Sequence, residues 1–380
     1  MNEILITFVI PCLNERQTIS EVVYECQEIG KYIMNYEIIV TDNGSSDQSQ
    51  VIARSAGAKV INASRKGYGS ALLEGIKNAK GKYIIICDAD LTYNLKQANE
   101  FIEALDQGFD LVIGNRYKGG IQKGAMPLLH FYIGNPLLSY LGRLFFGLKV
   151  GDFHCGLRAF RKDAINSLNL QSLGMEFASE MLIKASLLNL NIKEIPTTLR
   201  KGVPGRKTHL RTWRDGWRHL KYMLSFAPKF SLLPSSIILF LTSFALIIFY
   251  YFQFSIFRGS STLLLALSSF ITSLNIISDY ILSREIIYQN YSNKNFLRLD
   301  RLNMLLGLNN GTDRLFKCAG ISFLISAIFA IRLYFFYLNS NLNSIAAGGN
   351  TFLFCLTTVL SISLYLTATK ITTFRTLSKN

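Results

Sequence analysis

The sequence predicts an α/β domain on a mainly parallel sheet, followed by an α-helical membrane domain of four spans. Three observations carry this. Strand-like apolar runs alternate with helical patterns through the first half of the chain, and a polar cluster follows each strand-like run. Beyond Phe230 the apolar residues gather into long stretches. The chain has 380 residues, a formal net charge of +15 and 49% hydrophobic content, enough for more than one domain.

The elements follow in order. Leu5–Ile10 reads as a strand and Ile19–Ile29 as a helix, then Glu37–Thr41 and Gln48–Ala56, then Lys59–Asn62 and Ser70–Ala79. Tyr83–Cys87 and Leu95–Leu105 form the next such pair, and Leu111–Gly114 is a further strand. This alternation predicts a parallel sheet with helices on both faces. Right-handed crossovers bring the carboxyl ends of the strands to one edge.

The polar clusters fall on that edge. They are Pro11-Cys12-Leu13-Asn14-Glu15, the turn from Asp42 to Asp47, Arg65-Lys66-Gly67-Tyr68-Gly69, Asp88-Ala89-Asp90 and Asn115-Arg116-Tyr117. Open α/β sheets bind ligands at this edge. Two carboxylates one residue apart, Asp88 and Asp90, suit a hard cation such as Mg²⁺ or Mn²⁺. Gly67 and Gly69 beside Lys66 offer small backbone for a phosphate. Asp47 and Glu15 read equally well as helix N-caps, and Asp42 as a solvated turn residue.

Four apolar stretches, about 232–254, 262–282, 318–338 and 351–371, each approach the roughly twenty residues that cross a bilayer. The first and third connections between them carry little charge, with only Arg258 in the first. The middle one holds Arg284, Lys294, Arg298, Arg301, Arg314 and Lys317, and Lys370, Arg375 and Lys379 follow the last span. The positive-inside rule then places the N-terminal domain in the cytoplasm, on a multi-pass protein of the cytoplasmic membrane. No signal peptide is expected, because Ile4–Ile10 is short and lacks a basic lead. The six cysteines are scattered, with no Cys-x-x-Cys pair, and predict neither a disulfide frame nor a zinc site.

Between Arg200 and Lys229 there are nine Lys or Arg residues against one acid, Asp215. Trp213, Trp217, Leu220 and Leu224 recur at helical spacing, so residues 211–231 read as a basic amphipathic interfacial helix between a 1–210 domain and a 232–380 membrane domain. Basic residues interleaved with aromatics also suit nucleic acid. Adjacency to a membrane span instead favours anionic membrane lipids and a lipid phosphate, with no nucleic-acid partner.

The motifs Val9-Ile10-Pro11-Cys12-Leu13-Asn14-Glu15, Asp42 to Asp47, Arg65 to Gly69 and Asp88-Ala89-Asp90 resemble those of the family 2 inverting glycosyltransferases. Within that family the chain is similar to the polyprenyl-phosphate sugar transferases, the dolichol-phosphate mannose synthase-like group. The resemblance covers residues 1 to about 230. It implies a GT-A, Rossmann-like fold, a nucleotide-sugar donor and a divalent cation. Pro11, Asn14, Glu15, Asp42 and Lys66 would line the nucleotide site. Asp88 would meet ribose or metal, and Asp90 would be the main metal ligand. The family often has Asp where this chain has Asn43.

The segment Gly151 to Arg161 resembles the part that closes these sites from the acceptor side, and Asp152 is its candidate catalytic residue. Glu176 and Glu180 lie one turn apart, with Glu180 read either on a solvated face or near the donor sugar. A phosphate monoester acceptor is already anionic at neutral pH and needs cationic clamps more than a general base. Arg116, Arg143, Arg158, Arg200, Arg206 and Lys207 are the candidates for that work. The lipid-phosphate arginine of related enzymes has no clean match, with His130 and Arg143 both open.

The expected activity is inverting transfer of a sugar to a polyprenyl (undecaprenyl or dolichyl) phosphate, for cell-envelope glycan or glycolipid synthesis. Two alternatives remain at this point. A processive polysaccharide synthase would carry Gln-x-x-Arg-Trp on its interfacial helix, and Thr212-Trp213-Arg214 lacks the Gln. A decayed lipid-binding subunit would not need Asp42, Lys66, Asp88 and Asp90 together. Homo-oligomerisation is left open.

Overall fold

β1 (Ile6–Cys12) is wholly buried, as an apolar strand covered on both faces by helices must be. It lies inside a seven-stranded sheet of order β3-β2-β1-β4-β6-β5-β7. The structure is a computed structural model that describes residues 4–33, 35–205, 211–254, 260–291, 313–338 and 355–367. Two compact units result, divided between Phe226 and Ala227.

In the first unit, α1 (Ile19–Ile33) returns the chain to β2 (Tyr36–Asp42). α2 (Ser49–Ser55), β3 (Lys59–Asn62) and α3 (Tyr68–Asn78) continue the alternation. β4 (Tyr83–Ile86), α4 (Ala98–Asp106) and β5 (Leu111–Asn115) complete the five strands expected from sequence. β1, β2, β3 and β4 are parallel, and Cys12 pairs with Asp42, which pairs with Asn62. The carboxyl ends of three strands are therefore level. β2 and β3 lie on one side of β1 and β4 on the other, so the strand order reverses between β1 and β4. Such a switch point opens a crevice at the carboxyl edge.

Two strands were not expected from sequence, β6 (Arg158–Arg161) and β7 (Ile192–Pro196). β6 runs antiparallel to both β4 and β5, while β7 is parallel to β5. The sheet is thus mixed on this flank. After β5 come the short turn α5 (Arg116–Gly119) and the helix α6 (Asn135–Phe146), which is preceded by one wide turn over His130–Gly134. α7 (Lys162–Ser167) and α8 (Phe177–Leu187) flank β6 and β7. α9 (Thr212–Phe226), the basic helix, belongs to the first unit. Its inner residues Asp215, His219 and Met223 are buried.

The second unit contains α10 (Pro228–Ser231), α11 (Leu233–Tyr251), α12 (Ser260–Asn290), α13 (Asp313–Leu338) and α14 (Cys355–Thr367). Among the described residues, Pro228–Tyr251 and Thr262–Ile287 are long and apolar enough to cross a membrane. The other two apolar segments, Lys317–Ile328 and Cys355–Thr367, are shorter, and part of the expected 351–371 span lies outside the described residues. Two of the four expected spans therefore meet this test among the described residues. Hydroxyls join the helices: Ser243 Oγ donates to the Ala266 carbonyl at 2.8 Å, and Ser361 Oγ to that of Ala319 at 2.8 Å.

Candidate functional site

The β1 and β2 loops are stitched together by short polar side chains. Asn14 takes a left-handed backbone, φ 54°, and its Oδ1 accepts from the Ser46 amide at 2.8 Å. The Ser45 hydroxyl accepts from the Asn14 amide, and the Ser49 hydroxyl from the Glu15 amide, both at 2.9 Å. Asp47 accepts from the Ser49 hydroxyl at 2.5 Å and from the Arg16 and Ser49 amides at 3.0 and 3.1 Å, so it staples the loop ahead of α2, whose N-cap position is Gln48 and not Asp47. Burial opposes its charge, but these bonds hold the Asp47 carboxyl below its ordinary value. Pro11 is buried in β1 opposite Thr41.

Asp42 is 1% exposed. Its Oδ2 accepts from the Gly44 and Ser45 amides at 2.9 Å and from Gln50 Nε2 at 2.7 Å. Its Oδ1 is buried with no partner. An orphaned carboxylate oxygen costs free energy unless a donor arrives. The solvated-turn reading of Asp42 does not survive this burial.

Just past the carboxyl end of β4, the Asp88 carboxylate accepts from the Tyr68 hydroxyl at 2.9 Å. Burial, and then the charge of Asp88, push the Tyr68 phenol well above its ordinary range, so it stays a donor. Asp90 accepts from the Thr92 amide at 3.1 Å and its hydroxyl at 2.6 Å. A Cβ on Gly156 would sit 2.4 Å from Asp88 Oδ2, so the β6 side approaches the acidic edge closely. Among the described residues, no cluster of three or more His, Cys, Asp or Glu side chains could hold a metal. Asp88 and Asp90 are a partial oxygen set. That fits Mg²⁺ or Mn²⁺ when phosphate oxygens and water complete the shell, because such ions commonly bind through one or two carboxylates plus a substrate phosphate.

Arg116 and Asp152 form a two-pronged pair, Nε to Oδ2 at 2.6 Å and Nη2 to Oδ1 at 2.7 Å, with Asp152 0% exposed. Glu194 on β7 accepts from the Gly151 and Asp152 amides and from Lys118 Nζ, which fixes the loop backbone. Asp152 is thus committed to an ion pair, which removes it as a solvent-accessible base.

Two candidates are corrected by burial. Arg158 is 2% exposed, and its guanidinium donates to the carbonyls of Cys155, Ala178 and Phe153 at 2.9, 2.8 and 2.7 Å. It braces the chain and is no phosphate clamp. Glu180 is 1% exposed, pairs with Lys184 at 2.7 Å, and accepts from the Gln171 and Ser172 amides. Burial opposes its charge, yet Lys184 and the Ser172 amide hold its carboxyl below its usual value. Glu180 anchors a loop and is not on a solvated face.

Gly67 departs from its expected role as well. Its φ is +134°, and a Cβ there would lie 2.1 Å from the Leu173 carbonyl oxygen. The glycine makes room for the chain's own backbone. Lys66 beside it is exposed. Arg200 reaches Glu25 at 3.4 Å, and Arg143 donates to the Val150 carbonyl at 3.3 Å. Arg206 and Lys207 lie outside the described residues.

Two histidines join α9 to the Asp152 loop. The rings of His154 and His219 meet edge to face, 4.4 Å between centroids, and His219 Nδ1 bonds with the Ser179 hydroxyl at 2.8 Å. Burial drives His154 well below its usual value and His219 down to about 4, so both are neutral at pH 7. Sequence spacing gave no sign of this contact, nor of the Tyr68–Asp88 bond.

A mixed α/β sheet with an acidic pair at its switch point and a basic, aromatic helix in the same unit defines a GT-A type domain. The Glycosyl transferase family 2 profile matches residues 7–168, and the chain belongs to that family. It is 37% identical over 226 residues to the low-salt glycan biosynthesis hexosyltransferase Agl6 of Haloferax volcanii, covering 59% of this chain and 54% of that one. The chain therefore spans about half the length of that relative. A dolichyl-phosphate hexose transferase of the same organism is 30% identical, covering 50% of this chain and 79% of its own. A dolichol-phosphate mannosyltransferase of Pyrococcus furiosus is 29% identical over 51% of this chain and 56% of its own.

Proposed function

We propose that the chain transfers a sugar from a nucleotide-sugar donor to a polyprenyl phosphate, with inversion, at the cytoplasmic face of a membrane. The observation that carries the lipid acceptor is an apolar surface on the unit that holds the acidic edge. Leu137, Tyr140 and Leu144 on α6 are 51%, 53% and 49% exposed, and Trp213 and Trp217 on α9 are 82% and 62% exposed. Aromatic and aliphatic faces of this kind, flanked by Arg and Lys, suit the headgroup layer. The names of the relatives agree, two of them being dolichyl- or dolichol-phosphate transferases.

The donor lies along the carboxyl edge of β1, β2 and β4. Asp42 Oδ1 receives an N–H of the base, and Asn14 and Glu15 frame the nucleotide. Lys66 faces the diphosphate. Mg²⁺ or Mn²⁺ held by Asp90 and Asp88 supplies charge neutralisation for the departing diphosphate when bound. An oxygen of the lipid phosphate attacks the anomeric carbon from the face opposite the leaving group. That oxygen carries no proton at neutral pH, so no general base is required. Arg116 orients this anion, since Nη1 takes no part in the pair with Asp152. Arg200, Arg143, Arg206 and Lys207 supply further positive charge. Four spans, with the first and third connections outside, complete the proposed topology.

Purified protein given labelled nucleotide sugars, a polyprenyl phosphate and Mn²⁺ tests this. One labelled sugar per lipid in the organic phase supports the reading. Long polymer would favour a processive synthase, and no transfer from any donor would overturn it.

A further inference from the structure

The loop that carries Lys66 is held from two sides by groups outside the acidic edge. From the turn after β2, Asn43 Oδ1 accepts from the Gly67 amide at 2.9 Å, and its Nδ2 donates to the Gly67 carbonyl at 2.7 Å and the Arg65 carbonyl at 3.4 Å. One side chain thus brackets Lys66 through both neighbours. On the other side lies the strap Gln171–Gly174. A Cβ on Gly67 or Gly69 would lie 2.1 or 2.2 Å from a strap carbonyl oxygen, and the Ser70 amide donates to the Leu173 carbonyl at 3.1 Å. The strap is fastened by Glu180, which accepts from the Gln171 and Ser172 amides, while Lys184 ties Glu180 to the Asn169 carbonyl.

We propose that Asn43 is a positioning residue for the donor diphosphate. With the Glu180-anchored strap, its amide fixes the Arg65–Gly69 loop ahead of the donor, so that the Lys66 cation stands ready at the sheet edge. A flexible loop would have to be ordered on binding, and that entropy would subtract from affinity. In this chain one amide supplies both the acceptor and the donors that the loop uses. A carboxylate at position 43 accepts from the Gly67 amide, but it has no donor for the two carbonyls and sets a charged oxygen against them. The inference rests on the sugar-nucleotide reading of this edge.

The test titrates UDP and GDP, each with Mn²⁺, into the full detergent-solubilised chain, comparing wild type with Asn43→Asp. The nucleotide that wild type binds should bind Asn43→Asp roughly tenfold more weakly, the equivalent of one lost charge-free hydrogen bond and its repulsive replacement. Lowering the pH should shrink that ratio, because the protonated carboxyl regains a donor; a loss from misfolding would not recover in this way. Equal affinity of the two proteins overturns the proposal, whereas wild type binding neither nucleotide overturns the donor-site reading beneath it. A measurement on wild type alone stands beside it: the Gly67 and Ser70 amides should exchange slowly with solvent before nucleotide is added. Rapid exchange that slows only on binding would contradict a loop set in advance.

Discussion

The Thr18 hydroxyl donates to the Ala89 carbonyl oxygen at 2.6 Å, tying the residue between the two carboxylates to the start of α1. The same hydroxyl reaches the Glu15 carbonyl at 3.2 Å, so one side chain joins the β1 and β4 loops across the switch point. Replacing it with Val keeps the shape and removes the donor. Sugar transfer by Thr18→Val should fall about tenfold, and Thr18→Ser should retain most activity, since a lost buried hydrogen bond is worth about 1–2 kcal/mol. Initial rates at fixed Mn²⁺ measure this.

The Arg116–Asp152 pair should matter to folding as well as to transfer. Asp152→Ala leaves a guanidinium buried without its counter-charge, which costs about 3–5 kcal/mol. Chemical unfolding of the first unit's tryptophan signal should show that loss. Arg116→Lys keeps a charge but cannot form both prongs, so it should be intermediate.

Burial of His219 sets a pH dependence. His219 is depressed from 6.5 to about 4 in the fold, so the unfolded chain binds its proton first as pH falls. Its contribution is whole above pH 6.5 and is lost progressively as pH drops through about 4, up to roughly 3 kcal/mol at one pKa unit per 1.36 kcal/mol. The neighbouring charges are Asp215, which favours protonation, and Arg158, which opposes it. Melting temperatures from pH 7.5 to 4 should fall less steeply for His219→Gln than for wild type.

The exposed Trp213 and Trp217 should act only where a membrane is present. The double Ala variant should lose transfer to polyprenyl phosphate in liposomes by an order of magnitude or more, while UDP or GDP binding in detergent stays within twofold of wild type. Flotation with anionic vesicles gives the binding side of the same comparison.

The buried apolar strands were legible because β-branched runs such as Ile84-Ile85-Ile86 leave no other use for themselves. β6 and β7 escaped notice because each is short and carries charge. Arg158 donates to the Ala178 carbonyl and Glu194 accepts from the Gly151 amide, 20 and 43 residues away, and no local pattern encodes that. The acidic edge was legible for a simple reason, that polar clusters stood at strand ends. Which clusters serve a ligand and which serve the chain was not. Gly67 and Gly69 resemble a phosphate cradle in one dimension, and only the Gln171–Gly174 strap shows what they make room for. Glu180 and Arg158 looked like site charges until burial and their backbone partners were seen.

The central claim is that Asp90, beside Asp88 at the β1/β4 switch point, anchors a metal-assisted sugar-nucleotide site that serves a lipid phosphate. Its most direct test compares wild type with Asp90→Ala in the transfer of labelled sugar to polyprenyl phosphate under saturating Mn²⁺, read in the organic phase. Loss of at least a hundredfold with the fold intact is the predicted result, in line with the removal of several kcal/mol of leaving-group stabilisation. Undiminished transfer by Asp90→Ala would contradict the account.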